Sequence, residues 1–542
     1  MKPGKERTIS DATHPDPRAY RTRRPSTRLL LTLLLVATAS RLTLQILAMP
    51  PYAGLDELFH VARLSFTAEE QRDPKAAERS VPRYLAKSAA GDVDVPPAFG
   101  ILGARWPELL ASRALPFPDP RVTAPEARSY DSPNYEAQQP GLYYRLSAPL
   151  VHLLGTRTRE HELLLWRFLA VACAALVGLA TAGIGARSFG TAGLIAGALL
   201  ASTPAWLTLV ARAGNDAFAC AALAWGLFLS GKPAGRTWFP WLEGVVWAIA
   251  IASKAYTWPF VLVIPVLWPS RARRASRAVP LLACCLVAGV VTCTDLYRRT
   301  GHLFGDQGLT TLTRTSAGRA DIDYLAMVRV FLASAIWPGG QHGNALTPVG
   351  TLVYLGPPLV LLGIGLRRAW RARYRRHLVA MGVGVAAFLV AQVVHAYGFV
   401  RQARAAGSSL PAGGMEGWYA WSGAALVVGM GVTIGVRGLA RRPLLLALLV
   451  VWWVAADVTI HEGGLFRDYA GLTTRAEHGA IFRWGALPGE RHEMLDRLAL
   501  VGAGHPPPWL TLGLRGAHLA CTAGLMFIIL GRSRTLGLRS RP

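Results

Sequence analysis

Residues 29–40 read LLLTLLLVATAS, and after Arg41 the apolar run resumes at 42–48 as LTLQILA. Together the two runs reach the ~20 residues that a helix needs to cross a bilayer. Lysines and arginines crowd the first 28 residues, so the segment could also be read as a cleaved signal peptide. Because the apolar run continues past Arg41, we favour an uncleaved first span whose N-terminus stays in the cytoplasm.

Similar apolar runs recur along the 542 residues, of which 52% are hydrophobic and 17% charged, with a mean hydropathy of +0.30. This composition excludes a disordered chain and disfavours a soluble enzyme. We therefore predict an all-α polytopic transmembrane protein with about 12–13 spans and a large external first loop that contains amphipathic surface helices. The further candidate spans lie near 140–155, 162–182, 190–210, 215–230, 238–252, 255–269, 278–294, 349–366, 378–397, 418–436, 443–460 and 509–530.

Basic residues outnumber acidic residues by 58 to 32, which gives a net charge of +26. In a soluble protein this charge would suggest a nucleic-acid partner. We set that interpretation aside because the basic residues clump in short runs between the apolar ones, as they do in the cytoplasmic loops of membrane proteins. Four of these runs lie on one side if the later spans are counted in order: Arg271 to Arg277, Arg367 to Arg376, Arg437 to Arg442, and Arg532 to Arg541.

The apolar and basic runs divide the chain into segments on the two sides of a plasma membrane. Counting back from Arg271 places Asn215 and Asp216 outside, whereas counting forward from residue 140 places them inside, so one run must fail to cross. The segments are a cytoplasmic N-terminus at 1–28, a first span at 29–49, an external loop at 50–139, a transmembrane core at 140–294, an external loop at 295–348, transmembrane helices at 349–460, an external loop at 461–508, and a last span with a basic cytoplasmic tail at 509–542.

The loop at 50–139 is net acidic, with thirteen acidic and ten basic residues, inside a strongly cationic chain. It opens with PPYAGLDELFHVARLSF at 50–66. The two prolines end the first span, and the apolar residues after them recur at helical spacing, which predicts an amphipathic helix at the external membrane surface. Asp56, His60 and Arg63 fall along one polar stripe beside the apolar one.

An Asp-Glu pair with a histidine one turn later can perform acid-base chemistry. One carboxylate of Asp56 or Glu57 can take a proton from an attacking hydroxyl, and His60 or the second carboxylate can orient it or bind a metal ion. The alternative is an ordinary solvated helix face with an i,i+4 pair. The pattern differs from the HExxH of zinc proteases, since it offers one helical histidine rather than two.

A second motif, NYEAQQPGLYYR at 134–145, lies where the chain returns to the membrane. A first span, an acidic helix just outside it and a Gln-Pro-x-Leu-Tyr-Tyr segment together resemble the GT-C superfamily of integral-membrane glycosyltransferases. The DExxH segment is most similar to a family of bacterial membrane proteins that share Pro-Asp-Glu-x-x-His, as are AGNDA at 213–217 and ASK at 252–254. The chain departs from that pattern at Leu55, Gly141 and Trp418, where the family tends to show Pro, Pro and Arg.

The resemblance implies that a sugar moves from a polyprenyl-phosphate donor to an envelope glycan, lipid or protein outside the plasma membrane, with inversion at the anomeric carbon. It implies that Asp56 is the general base that deprotonates the acceptor hydroxyl. Glu57 and His60 would orient the acceptor or hold a divalent ion, although some members of the superfamily need no metal. We expect no other cofactor.

The phosphate leaving group calls for cationic or amide groups at the external face. Asp216 at the start of a span is also an ordinary helix cap, and arginines at span ends usually extend to the interface, so each candidate has a structural alternative. The substrate-binding candidates are Arg63, Gln139, Tyr143, Asn215, Asp216, Lys254, Arg298, Arg299, His302, Arg401 and Arg404.

Two other function classes stay open. A non-enzymatic transporter or flippase of a lipid-linked solute would bury ionisable residues at mid-membrane, whereas the notable acids of this chain cluster at the external rim, which favours the enzyme. A membrane scaffold is the third class. The histidines from His461 to His505 match no metal-ligand spacing, and the six cysteines match neither a disulfide framework nor a zinc site.

Overall fold

Over the residues that it describes, the computed structural model shows a bundle of helices with one short antiparallel pair of strands. Among the described residues, eight helices are long and apolar enough to cross a membrane, and three shorter apolar helices of 10–17 residues accompany them. The protein is therefore an all-α multi-pass membrane protein, and the predicted fold class is confirmed. The structure describes residues 27–54, 56–83, 85, 130–155, 159–233, 236–268, 274–303, 325, 328, 331–332, 335, 348–370, 375–405, 417–439, 442–470, 472 and 488–538.

The long helices follow the apolar runs of the sequence, and two of them change helix type along their length. The segment at 417–439 passes from a 3-10 helix through α-helix and π-helix, and Pro443–Ala456 continues as the π-helix Asp457–Phe466. The long helices are Thr27–Ala48 (α1), Arg159–Phe189, Arg274–Thr300, Pro348–Ala369, Arg375–Ala405, the composite segments 417–439 and 443–466, and Pro508–Leu538.

Several predicted spans are broken into short pieces. The run at 190–210 forms Gly190–Gly193, Leu194–Ala201 and Pro204–Val210, with a break at the residues before Pro204, which lacks a backbone N–H. The remaining described elements are shorter or lie at the bundle ends: Glu57–Glu70 (α2), Arg79–Pro82 (β1), Tyr130–Pro133 (β2), Tyr135–Gln138, Asn215–Ser230, Phe239–Ser253, Ala255–Val263, Ile264–Leu267, Arg467–Tyr469 and Pro488–Val501.

The run at 140–155 is the one that fails to cross. It forms Leu142–Ser147 and Leu150–Leu153, of six and four residues, separated at Pro149. At 1.5 Å per residue the two pieces add up to about 15 Å, half of the ~30 Å thickness of the hydrocarbon core. The three pieces of the run at 190–210 contain 19 residues and add up to about 29 Å, which is enough to cross. Without this crossing at 140–155, counting the spans forward from residue 140 and counting them back from Arg271 agree. Both place Asn215 and Asp216 at the same end of the bundle as α2.

The helix α2 is buried inside the protein rather than lying flat on a membrane surface. Its apolar residues Ala62 and Phe66 are buried, but so are His60 and Arg63 of the polar stripe, both at 0% exposure. The solvated-face interpretation of this stripe is therefore wrong. The polar residues of α2 point toward buried charges of neighbouring segments, where unpaired ionisable groups would be costly.

A buried ion pair fastens the start of α2 to the bundle. The Glu57 carboxylate accepts hydrogen bonds from Arg167 Nε at 2.8 Å and Nη2 at 2.6 Å, and from the backbone N–H of Ala213 at 2.9 Å. The same guanidinium joins α2 to the end of α1, because it also donates to the carbonyl oxygens of Ile46, Met49 and Pro50.

Arg63 holds the described parts of the loop at 50–139 together by binding backbone carbonyl groups and Asp73. Arg63 donates to Asp73 at 2.8 Å and to the carbonyl oxygens of Glu136 at 2.5 Å and Gln139 at 3.0 Å. Burial raises the pKa of Asp73, but the guanidinium groups around it, Arg63 first, outweigh burial and hold this pKa below its usual value. The antiparallel pair of β1 and β2 closes the loop beside α2.

Glu57→Gln is expected to destabilise the protein strongly, because it leaves the Arg167 guanidinium buried without its counter-charge. Breaking one partner of a buried pair costs about 3–5 kcal/mol. Thermal unfolding of the purified protein in detergent measures the loss. The matched control, Glu70→Gln, changes an exposed acid of the same helix and should leave the unfolding temperature nearly unchanged. Equal unfolding temperatures of the two variants would remove Glu57 from this anchoring role.

Candidate functional site

Asp56 sits at the N-terminus of α2 in a strained backbone conformation. Its backbone φ is 55° and that of Tyr52 is 60°. Both angles lie in the left-handed region that residues other than glycine seldom adopt. Strain of this kind costs about 1–3 kcal/mol and gathers at functional sites. The Asp56 side chain is half-buried and makes no capping hydrogen bond to α2. Its carboxylate is therefore available to another partner.

The two adjacent carboxylates of the DExxH motif have different surroundings. Both oxygens of Glu57 are occupied by Arg167, by Ala213 N–H and by Gly54 N–H at 3.3 Å. Asp56 instead acts electrostatically on Arg212 and Glu136, which places it beside a cluster of charged groups. The structure thus puts Glu57 in the scaffold of the bundle and Asp56 next to the groups that could meet a substrate.

His60 lies at the centre of a buried polar line. Its Nδ1 is 2.6 Å from the Tyr144 hydroxyl, which donates to Glu136 at 3.2 Å, and its Nε2 is 3.7 Å from an Asp216 oxygen. Burial, and then the charges of nearby cations, lower the pKa of His60 well below its usual value. Burial raises the pKa of Glu136. The line joins α2, the Gln-Pro-x-Leu-Tyr-Tyr segment and the Asn-Asp motif.

The Asn-Asp motif approaches His60 closely because residue 214 is a glycine. A Cβ on Gly214 would lie 2.9 Å from the His60 ring. Asp216 then binds two cations, with its carboxylate 2.5 Å from Arg212 Nη2 and 3.1 Å from Lys254 Nζ. Lys254 also donates to the Asn215 side chain at 2.8 Å. Asp56, His60, Asn215, Asp216 and Lys254, which three separate motifs predicted, therefore belong to one cluster.

Two hydrogen-bond donors of the Arg212 guanidinium have no acceptor among the described residues. Its side chain is 1% exposed, and its Nε and Nη1 atoms meet no hydrogen-bond acceptor among the described residues. Buried polar groups nearly always have partners, so two open donors on one buried guanidinium require an explanation. Gly54 packs against this side chain, since a Cβ there would lie 2.8 Å from Arg212 Cβ. A bound anion beside Asp56 would satisfy both donors.

Other predicted substrate-binding residues hold the loop. Arg299 bonds to Asp295 and to the carbonyl oxygens of Ala137 and Gln139, and Arg63 shares the Gln139 carbonyl. The structure therefore places Arg63, Gln139 and Arg299 in a network that fastens the loop.

The remaining candidates lie outside the cluster. Tyr143 is 1% exposed and packs its ring against Tyr144 and Phe218. Arg298 and His302 are exposed at the end of Arg274–Thr300. The side chains of Arg401 and Arg404 lie outside the described part of the chain.

The sequence analysis missed four members of the cluster: Arg212, Glu136, Tyr144 and Tyr256. Glu136 and Tyr144 stand in the quoted 134–145 motif, but their spacing gives no sign of a contact with His60. Tyr256 donates to Asp216 at 3.2 Å. Arg212 carried a usable signal, because an arginine within an apolar run, just before Gly214 and Asn215, is by default a functional candidate in a membrane protein.

A metal site is a separate question from this cation cluster. Among the described residues, no group of three or more His, Cys, Asp and Glu side chains could hold a metal ion. The structure describes the exposed side chain of His492 and the half-buried side chain of His505 in the histidine-rich tail, while residues 473–487 lie outside the described ranges. All six cysteines are free thiols.

Comparisons with known proteins add structural likeness only. No protein-family model matches the chain, and no curated protein sequence matches it. Apo ArnT from Cupriavidus metallidurans has a TM-score of 0.44 at 15% identity, over 93% of this chain and 76% of that chain, and its complex with undecaprenyl phosphate has 0.43 over the same shares. The Archaeoglobus fulgidus oligosaccharyltransferase has 0.41 at 11% identity, over 88% of this chain and 58% of that chain.

We expect the stability of the protein to fall as the pH falls below about 6.5, partly through His60. The lowered pKa keeps His60 neutral in the folded protein, while the unfolded chain binds a proton there. One such histidine changes the free energy of unfolding by roughly 1.4 kcal/mol per pH unit below this point. Unfolding temperatures measured from pH 7.5 to 5 should decline less steeply in His60→Gln than in the wild type.

The control for this pH series is His492→Gln, because the His492 side chain is 81% exposed. Its unfolding temperature should follow the wild-type curve. A His60→Gln curve parallel to the wild-type one would show that the His60 environment does not disfavour the proton.

Proposed function

We propose that this protein is a GT-C-type integral-membrane glycosyltransferase that moves a sugar from a polyprenyl-phosphate donor to an acceptor outside the plasma membrane. The proposal rests on two groups of opposite charge in one cluster. Asp56 has a half-buried carboxylate that makes no capping hydrogen bond, and Arg212, on which Asp56 acts electrostatically, has a buried guanidinium with open donors. A base next to an anion-binding cation is what displacement of a phosphate by a hydroxyl requires. The acceptor is an envelope glycan, lipid or protein.

In this reaction Asp56 is the general base. Its carboxylate takes the proton from the acceptor hydroxyl as the oxygen forms a bond to the anomeric carbon. The bond between that carbon and the phosphate oxygen breaks on the opposite side, so the configuration inverts and the polyprenyl phosphate leaves with the electron pair. The left-handed backbone at Asp56 directs its side chain away from the helix cap, which supports this assignment.

Arg212 and Lys254 receive the negative charge that develops on the phosphate. Arg212 offers Nε and Nη1, and its third nitrogen stays fixed by Asp216 at 2.5 Å. Lys254 is held by Asn215 and Asp216. Donors that are fixed before the reaction stabilise the transition state without having to reorganise. Asp216 therefore positions the two cations, and its negative charge is already neutralised when the donor binds.

The reaction we propose needs no metal ion. Of the residues predicted to hold one, Glu57 is bound on both oxygens by Arg167 and backbone N–H groups, and His60 Nδ1 is turned to Tyr144. Two cations already surround Asp216 and would repel a divalent ion. His60 and Glu57 serve as positioning residues that hold the N-terminus of α2.

Asp56→Asn should abolish sugar transfer while leaving the protein folded. Loss of a general base lowers the rate by roughly a hundred- to ten-thousand-fold. The measurement is the sugar content of the envelope glycan, by mass spectrometry, in a host that carries the variant as its sole copy. Asp131→Asn, which changes an exposed acid of the same loop, is the matched control and should transfer normally. Normal transfer by a well-expressed Asp56→Asn protein would overturn the assignment.

Arg212→Lys should weaken donor binding, because lysine keeps the charge but cannot bind both Asp216 and a phosphate through a planar fork. We expect at least a tenfold higher Kd for a short-chain polyprenyl phosphate, measured by calorimetry on the purified protein. Arg298→Lys, at an exposed arginine, should leave the Kd unchanged. The reverse pattern would move the phosphate site to the end of Arg274–Thr300.

A second candidate function is transport of a lipid-linked solute without chemistry. One observation favours it: Asp457 is fully buried among the spans and binds Arg41 at 2.9 Å and Arg515 at 3.1 Å. Intramembrane ionisable groups often mark a transport path. Formation of a glycosylated product by the purified protein in detergent micelles, where no compartments exist, would exclude transport as the sole activity. Solute flux into proteoliposomes without any product would establish it.

A further inference from the structure

One ring nitrogen of His60 is buried without a hydrogen-bond partner. The side chain is 0% exposed, and its Nε2 atom meets no hydrogen-bond partner among the described residues. An Asp216 oxygen lies 3.7 Å from Nε2, which is too far for a hydrogen bond. The opposite nitrogen, Nδ1, contacts Tyr144 and holds the loop. Because buried polar atoms nearly always have partners, the open Nε2 indicates a group that binds there.

The hydrogen bonds around the ring make Nε2 an acceptor. The Tyr144 hydroxyl has one proton, which it donates to Glu136 at 3.2 Å. Its oxygen therefore accepts from His60 Nδ1 at 2.6 Å, which places the ring proton on Nδ1. Burial, and then the charges of nearby cations, lower the pKa of His60 and keep the ring neutral. The Nε2 atom thus carries a lone pair that needs a donor.

Asp216 cannot supply the missing donor. Its carboxylate lies 2.5 Å from Arg212 Nη2 and 3.1 Å from Lys254 Nζ, and an ionised carboxylate only accepts hydrogen bonds. The Nε2 atom and this carboxylate are therefore two acceptors that face each other inside the protein. Such a contact is costly unless a ligand brings an O–H or N–H group to it.

The open nitrogen lies next to the place proposed for the lipid phosphate. The same Asp216 oxygen contacts Arg212 Nη2 at 2.5 Å and faces His60 Nε2 at 3.7 Å. Gly214 lets the ring come this close. Its φ of −176° is one that any residue adopts, but a Cβ there would lie 2.9 Å from the His60 ring. A ligand whose phosphate binds the open donors of Arg212 therefore has its sugar beside Nε2.

Given the proposed sugar transfer, on which this step rests, we propose that His60 Nε2 accepts a hydrogen bond from the 2-hydroxyl of the transferred sugar. This hydroxyl stands on the carbon next to the anomeric carbon and is the hydroxyl nearest to the phosphate. It reaches Nε2 while the phosphate oxygens stay on Arg212. In glycoside hydrolysis, hydrogen bonds to the same hydroxyl strengthen in the transition state. The site thus selects sugars with a free 2-hydroxyl, because an analogue without it leaves a buried acceptor unpaired.

The test measures the Kd of the purified full-length protein for four short-chain probes by calorimetry. The probes are neryl phosphate and neryl phosphate that carries glucose, mannose or 2-deoxyglucose. Glucose and mannose differ only at carbon 2, so 2-deoxyglucose is the analogue of both without the 2-hydroxyl. One hydrogen bond is worth about a fivefold change in Kd. We expect the glucose or the mannose probe to bind at least fivefold more tightly than the 2-deoxyglucose probe.

Neryl phosphate without a sugar separates this step from the proposed function. Failure of neryl phosphate to bind would contradict the phosphate site at Arg212 and with it the proposed sugar transfer. Binding of neryl phosphate, together with equal Kd values for all three sugar probes, would overturn the role of His60 Nε2 alone.

Two variants of His60 separate contact with the sugar from support of the loop. Counted in bonds from Cα, the amide nitrogen of asparagine replaces Nδ1, whereas the amide end of glutamine replaces Nε2. His60→Asn should therefore lose the preference for the 2-hydroxyl, and His60→Gln should keep at least a twofold preference. His492→Asn, at a side chain that is 81% exposed, should keep the full preference. A full preference in His60→Asn, or an equal loss in both His60 variants, would overturn the assignment.

Discussion

The buried ion pair between Glu57 and Arg167 is the contact on which the site depends. It joins three parts of the chain that are far apart in sequence: the end of α1, the start of α2 and the segment before Asn215. A buried pair of this kind contributes little net stability compared with apolar packing, but it permits only one geometry, because either charge alone would be stranded. That geometry brings Asp56 to the same place as Arg212.

The neighbouring carboxylates of the motif therefore divide two tasks between them. Glu57 is saturated by donors and fixes the backbone, while Asp56 keeps its carboxylate clear of the helix cap at the cost of a left-handed backbone. Around Asp56, the cations Arg212 and Lys254 offset the carboxylates of Asp216 and of Asp56 itself, and the Arg212 guanidinium still keeps two open donors. A lipid phosphate accepts from those donors while the sugar donor is bound.

Much of this organisation was predictable from the sequence, and the remainder depends on contacts across long sequence separations. Apolar run length predicted the membrane class and the first span, and the motifs pointed to Asp56, His60, Asn215, Asp216 and Lys254. Spacing could not show that Glu57 meets a partner 110 residues away, or that the 140–155 run breaks at Pro149. Arginines such as Arg63 and Arg299 look alike in sequence whether they bind substrate or backbone carbonyls, and only packing separates the two.

The most direct test of the account is an experimental structure of the protein with a bound polyprenyl phosphate. The account predicts that the phosphate lies within hydrogen-bond distance of Arg212 Nε and Nη1, with the Asp56 carboxylate facing the same space and Glu57 still paired with Arg167. A phosphate bound at Arg298 and His302, or an Asp56 side chain turned away from the bound lipid, would contradict it.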